Sequence, residues 1–287
     1  VKTLMATAAA LRSLDPAFVS VTYGAGGTTR ARTIEVTKAI KGDLDLETMA
    51  HLTCVGATRS ELQAVLRELA GAKIDNVLAL RGDPPQGQRT FSPTRGGLQH
   101  ASDLLELIDA EFDFCVGAAC YPETHPEAES AVSDLKYLGL KVATGAQFLI
   151  TQLFFDNAVF YDFVHRARRA GIEVPIIPGI MPITNAAQIE RFTRLCGASI
   201  PLELRKALEA RQAEPEAVLD LGVAYATLQC VDLLSAGVPA IHFYTLNKSP
   251  ATRAVMSALI AARPWERAAG RRYVSSHDSQ WWPDLGS

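Results

Sequence analysis

The sequence lacks the marks of several large enzyme classes. It has no CxxC, no HExxH and no HxH, and of its six histidines His51, His125 and His242 stand far apart in apolar runs or loops, so no metal-binding spacing is seen. It has no GxSxG elbow and no P-loop, which argues against a serine hydrolase and a P-loop NTPase. No strand-like run is followed by GxGxxG, which leaves a Rossmann dinucleotide domain unsupported. Excess positive charge is missing too. Lys plus Arg is 28 against 31 Asp plus Glu, a net charge of −3, so no general field for nucleic acid exists. No apolar run approaches the ~18 residues of a membrane span, and no signal peptide is visible. The five cysteines are odd in number. Cys54, Cys115 and Cys120 lie in apolar runs and read as reduced core residues of a cytoplasmic protein.

What is present fits a folded chain of 287 residues, 48% hydrophobic and 21% charged. Short apolar runs alternate with helical stretches. Seven runs read as strands buried on both faces: 18–23, 49–54, 76–81, 114–120, 148–153, 175–180 and 240–244. Between them, 58–72 carries Leu62, Val65, Leu66 and Leu69 on one helical face, with Thr58 or Ser60 as a cap. The stretch 157–170 repeats the pattern before Gly171, and 215–236 is a long helix ending at Gly237. Strand–helix alternation predicts a parallel α/β sheet, doubly wound or closed into a barrel. The chain starts with a helix over 2–13, so the expectation is a (β/α)8 barrel over residues 1–263 whose first strand is missing from this sequence. The opening on Val1 fits that expectation. The segment 84–97 reads as a long loop. The tail 264–287, with Trp265, Trp281 and Trp282, is expected on the barrel surface or at a subunit interface.

Polar groups fall at the C-terminal ends of the predicted strands, where barrel active sites form: Thr22, Arg81, Tyr121, Gln152 and Tyr244. Arg81-Gly82-Asp83 combines a phosphate-pairing cation, a tight turn and a carboxylate, or is a surface ion pair. Tyr121 and His125 lie in a loop stiffened by Pro122 and Pro126. Asp134 and Lys141, seven apart, share a helix face that is either solvated or covered by a ligand. The Gly-rich stretch 22–28 could cradle a phosphate. His51, inside an apolar run, reads by itself as a core histidine. Gln152 offers a neutral amide suited to a ring ligand.

Together the phrases FVSVTYGAGGTTR, HLTC, NVLALRGDPP, AACYPETHPEA, LKVATGAQFLITQLFFD, IPGIMPITN and HFYTLNK resemble the methylenetetrahydrofolate reductase family, in family order from about Phe18 to about Ala262. The resemblance implies an FAD-containing (β/α)8 barrel. NADH or NADPH reduces the flavin, which then reduces 5,10-methylenetetrahydrofolate to 5-methyltetrahydrofolate in a ping-pong scheme. It also implies a homodimer or homotetramer. Thr22, Tyr23, His51, Arg81, Gly82, Asp83, Ala119, Tyr121, His125, Asp134 and Lys141 match cofactor-binding positions. Gln152, Gln188, Phe192, Leu246 and Lys248 match positions of the substrate site. Asp83, Gln152 and Phe192 carry the catalytic roles. Asp83 is placed to tune the flavin, because a negative charge disfavours its anionic reduced form. Lys248 stands where a bacterial relative has Arg. The family's opening strand, reading FEFFPPK with a general-acid Glu, has no counterpart in residues 1–17, and the expectation is that it belongs to a segment absent from this sequence. The competing readings are a proline dehydrogenase-like flavin barrel and a flavin- or folate-binding relative without the acid.

Overall fold

The strands form because short apolar runs pair in parallel and bury both faces. The computed structural model describes residues 2–22, 30–84, 91–263 and 265–266. The chain divides into two compact units, Val1–Ala119 with Leu140–Phe148, and Cys120–Gly139 with Leu149–Ser287.

The first unit alternates α1 (Lys2–Arg12), β1 (Val19–Val21), α2 (Arg30–Leu44), β2 (Thr48–Thr53), α3 (Arg59–Gly71), β3 (Asn76–Leu80), α4 (Ala101–Glu111) and β4 (Cys115–Cys120). The β1, β2, β3 and β4 strands pair in parallel in that order. Every residue of β2 is buried. The α3 helix buries Leu62, Val65, Leu66 and Leu69, the predicted stripe. Its start is fixed by a reciprocal capping box. Thr58 Oγ1 accepts from the Glu61 amide at 3.3 Å, and Glu61 Oε2 accepts from the Thr58 amide at 2.7 Å. A small core of Ala8, Val21, Val36, Ile40 and Leu46 joins α1 and α2 to the sheet.

The second unit holds most of α5 (Ala131–Ala143) and of β5 (Phe148–Thr151), then α6 (Asn157–Arg169), β6 (Ile176–Ile177), β7 (Gly179–Ile180), α7 (Ala186–Cys196), α8 (Leu202–Glu209), α9 (Pro215–Ser235), β8 (His242–Phe243) and α10 (Pro250–Ala262). The β5 strand pairs in parallel with β6, and β7 pairs in parallel with β8. The core contains Leu153, Phe155, Met181, Ile183, Ile189, Ile200, Leu204, Leu208 and Val218. These pairings define a parallel α/β fold.

Three expectations are corrected. The single predicted strand over 175–180 is two strands, because Pro178 has no amide hydrogen to donate to a ladder. The Pro178 carbonyl instead accepts from the His242 amide at 2.9 Å, which starts the pairing with β8. Cys115 opens β4 and is exposed rather than in the core, while Cys54, Cys120 and Cys230 are buried and Cys196 is partly so. Finally, α9 is long and apolar enough to cross a membrane by length and composition. It packs Val218, Gly222, Ala226, Gln229, Cys230 and Leu233 inside the unit. Gly222 permits this, since a Cβ there would run into the Ile183 carbonyl. Of the predicted tail, only Trp265 and Glu266 are among the described residues.

Candidate functional site

Parallel strands end at the same side of a sheet, so the residues that follow them gather there. In the first unit, the pairings Ser20 with Met49, His51 with Leu78 and Leu78 with Gly117 set one face by alternation. Thr22 and His51 fall on that face, and Ala119 falls on it two residues beyond Gly117. His51 is buried within β2, whereas Thr22 is exposed just past β1. The Thr22 carbonyl accepts from Thr33 Oγ1 at 3.3 Å. Tyr23 and the rest of the Gly-rich stretch to Thr28 lie outside the described residues.

The chain leaves β3 under tight control. The Arg81 carbonyl accepts from the Val55 amide at 3.1 Å. Gly82 then turns the backbone at φ +86°, and a Cβ there would lie 2.7 Å from Val55 Cγ1. Only glycine fits on both counts. Arg81 is half-buried, donates Nε to the Gly82 carbonyl at 3.2 Å and stacks its guanidinium 5.1 Å from the Phe91 ring centre. Asp83 follows, exposed. Lys141 donates to the Ala119 carbonyl at 2.9 Å, so two residues predicted 22 positions apart meet.

In the second unit, the loop after β4 is ordered by its own side chains. The Tyr121 and His125 rings meet edge to face with centres 4.5 Å apart. Asp134 Oδ2 accepts from the His125 amide at 3.0 Å. His125 Nδ1 accepts from the Glu127 amide at 3.0 Å, which leaves Nε2 as the protonated nitrogen of the neutral ring. Gln152 follows β5 and donates its amide to the Cys120 carbonyl at 2.7 Å. Its Oε1 accepts from the Leu153 amide at 2.9 Å, which fixes the side-chain amide and leaves its NH2 as the donor end. The α7 helix starts at Asn185, whose Oδ1 accepts from the Gln188 amide at 2.9 Å. Gln188 is half-buried, and Phe192, one turn on, packs against the same core cluster as Tyr244. Leu246 and Asn247 both adopt left-handed backbone, at φ +50° and +59°, which presents Leu246 and Lys248 at the surface.

Sequence reasoning missed two features. Thr53 Oγ1 is buried without a hydrogen-bond partner among the described residues, at the end of β2 on the His51 face. Only strand register reveals that. Val132, Tyr137 and Leu140 on α5 are exposed, at 79%, 60% and 46%, on the helix that bears Asp134 and Lys141. The spacing of Tyr137 and Leu140, three apart on one helix face, was the available signal. Tyr244, expected at its strand end, is half-buried and donates Oη to the Thr151 carbonyl at 2.7 Å, with its phenol pushed up by desolvation. Beside it, His242 meets the Tyr244 ring at 5.1 Å and burial pushes its imidazole down to about 4.

These features fit a large aromatic, polyhydroxylated, anionic cofactor. Within the first unit, the buried Thr53 hydroxyl without a partner among the described residues and the cations of Arg81 and Lys141 answer its polar and anionic parts.

A parallel α/β protein with its polar residues at the C-terminal strand ends is the class that fold and site define. The family model described as methylenetetrahydrofolate reductase matches residues 1–260. The 5,10-methylenetetrahydrofolate reductase of Salmonella typhimurium is 41% identical over 250 residues, covering 87% of this chain and 82% of that protein. Methylenetetrahydrofolate reductase (NADH) 1 of Arabidopsis thaliana is 38% identical over 278 residues, covering 90% of this chain and 47% of that protein. The chain thus spans about half the length of such plant relatives. Among solved structures, an uncharacterised protein from Clostridium thermocellum that binds two copies of 5-methyl-5,6,7,8-tetrahydrofolic acid superposes with a TM-score of 0.52 at 18% identity, over 82% of this chain and 78% of that one. It supports the fold. The chain belongs to the methylenetetrahydrofolate reductase family.

Proposed function

We propose that this chain is an oxidoreductase that reduces 5,10-methylenetetrahydrofolate to 5-methyltetrahydrofolate with electrons from NADH or NADPH, using FAD in two alternating half-reactions. Family membership along nearly the whole chain carries the reading. The fold that goes with it is a (β/α)8 barrel over residues 1–263, with 264–287 as a tail.

FAD held at these strand ends would supply hydride chemistry, accepting a hydride from the reduced dinucleotide and delivering it to the methylene carbon of the folate as the bond from that carbon to N10 breaks and N10 takes a proton from solvent. The protein supplies binding, orientation and charge. Lys141 and Arg81 offer donors to the phosphates and sugar. The Tyr121 and His125 rings, locked edge to face, offer one fixed wall. Asp83 sets a negative charge at the end of β3, which disfavours an anionic reduced ring and so favours hydride donation. The Gln152 NH2 donates to a ring carbonyl of either substrate, its orientation fixed by the Leu153 amide. Phe192 and Gln188 present one apolar and one polar surface to the same ligand, and Lys248 meets an anionic tail.

The test is anaerobic. Purified protein loaded with FAD is reduced with NADH, and methylenetetrahydrofolate is then added. Bleaching of the flavin band followed by its recovery is expected. Bleaching without recovery overturns the folate assignment, and no flavin band after loading overturns the cofactor.

A further inference from the structure

The loop after β4 is held from three helices, and one of its tethers lies at a costly place. Arg166 of α6 donates to the Pro122 carbonyl at 3.3 Å, and Asp134 of α5 holds the His125 amide. The third tether is Glu123. Both of its carboxylate oxygens accept from the Ser199 amide, at 2.9 and 3.0 Å. Ser199 lies three residues past the end of α7, beyond the left-handed cap Gly197. Gly197 itself faces Pro126 of the loop, where a Cβ would lie 3.1 Å from the Pro126 ring.

Two features are hard to explain by stability alone. The last turn of a helix carries partial negative charge, so a carboxylate near the end of α7 is placed against the helix dipole. Burial pushes the Cys196 thiol up, and the charge of Glu123 adds to that shift, which places Glu123 close to the last residue of α7. Next to Glu123, Thr124 sits at φ +76°, a conformation that β-branched residues strongly disfavour. Strain of this kind persists where surrounding structure demands it, and it gathers at functional sites.

We propose that Glu123 is a positioning residue. It ties the loop bearing Tyr121 and His125 to the end of α7, the helix bearing Gln188 and Phe192, so that both groups keep one geometry. No atom of Glu123 needs to touch a ligand for this. The functional half of the inference rests on the folate-reductase reading, whereas the mechanical half does not.

The experiment therefore has two arms. In the ligand-free protein, hydrogen–deuterium exchange compares wild type with Glu123→Ala and Glu123→Gln. The Ala variant is expected to lose protection in 121–130 and 196–200 together, with α9 unchanged. The Gln variant, which keeps an acceptor oxygen, is expected to restore it. In steady-state assays, Glu123→Ala is expected to raise KM for the folate roughly tenfold with kcat changed far less, and Glu123→Gln to return it toward wild type. Unchanged exchange in Glu123→Ala overturns the tie. Loosened exchange with unchanged KM reduces Glu123 to a structural role and overturns the positioning claim. If wild type itself turns over no folate, the reductase reading fails, and the exchange arm still decides the tie. Should Glu123→Ala not fold, Glu123→Asp, which keeps the charge but shortens the reach, takes its place with the same expectations.

Discussion

At the scale of single residues, two positions show how differently sequence exposes function. Gly82 was legible, because a glycine between an arginine and an aspartate at a strand end announces a turn. The structure adds why no other residue serves. Its φ is +86°, and Val55 occupies the space of a Cβ. Gly82→Ala is expected to cost about 2 kcal/mol or more, read as a lower urea midpoint at unchanged slope. An unchanged midpoint would contradict the packing. His242 was not legible as a titrating group, because a histidine in an apolar run says nothing about how completely it is enclosed. Burial lowers its pKa from 6.5 to about 4. Between those values the unfolded chain binds the extra proton, so stability falls as pH drops. The contribution is complete above about pH 6.5 and is lost by about pH 4, for a total of up to ~3 kcal/mol. Urea midpoints of wild type should therefore fall more steeply from pH 7 to pH 4.5 than those of His242→Gln. Parallel curves would mean that this imidazole is not the group responsible.

At the scale of elements, the alternation of apolar runs exposed every strand position, because strands buried on both faces have few polar interruptions. It missed the break at Pro178, since a proline inside an apolar run reads equally as an edge or as a division. It also missed the character of α9. That helix has the length and composition of a membrane span, and what distinguishes it is tertiary: a glycine against the Ile183 carbonyl and a Gln229 side chain that donates to the Phe154 carbonyl at 3.1 Å. For the start of α3 the sequence offers Thr58 or Ser60 as the cap, and the structure selects Thr58. The reciprocal bond from Glu61 makes that cap testable. Thr58→Ala should cost about 1 kcal/mol, and Glu61→Ala in the same background should cost less than it does alone, because the two halves of a capping box support each other. Strict additivity in that double-mutant cycle would show the two bonds to be independent.

At the scale of the whole molecule, the division into two units left no trace in the sequence. No linker marks it, because the boundary passes inside β4, between Ala119 and Cys120, inside α5, between Gly139 and Leu140, and inside β5, between Phe148 and Leu149. Candidate site residues occur in both units, and α5 carries one from each, Asp134 and Lys141. The family motifs made those residues visible long before their partners were, since the Ala119 carbonyl and the His125 amide carry no side-chain signal at all. A ligand that binds only the folded chain stabilises it by mass action, by about 2.7 kcal/mol at a hundredfold excess over its Kd. For a chain of this size that corresponds to a rise in Tm on the order of 5 °C or more. Saturating FAD is therefore expected to raise the melting temperature by that amount. Lys141→Ala gives up the bond to the Ala119 carbonyl and should remove most of the increment while shifting the ligand-free Tm far less. A ligand-free Tm that falls as far as the FAD increment would make Lys141 a structural strut. No increment in wild type would remove FAD from the proposal and leave the family assignment to be met by a different use of the same strand ends.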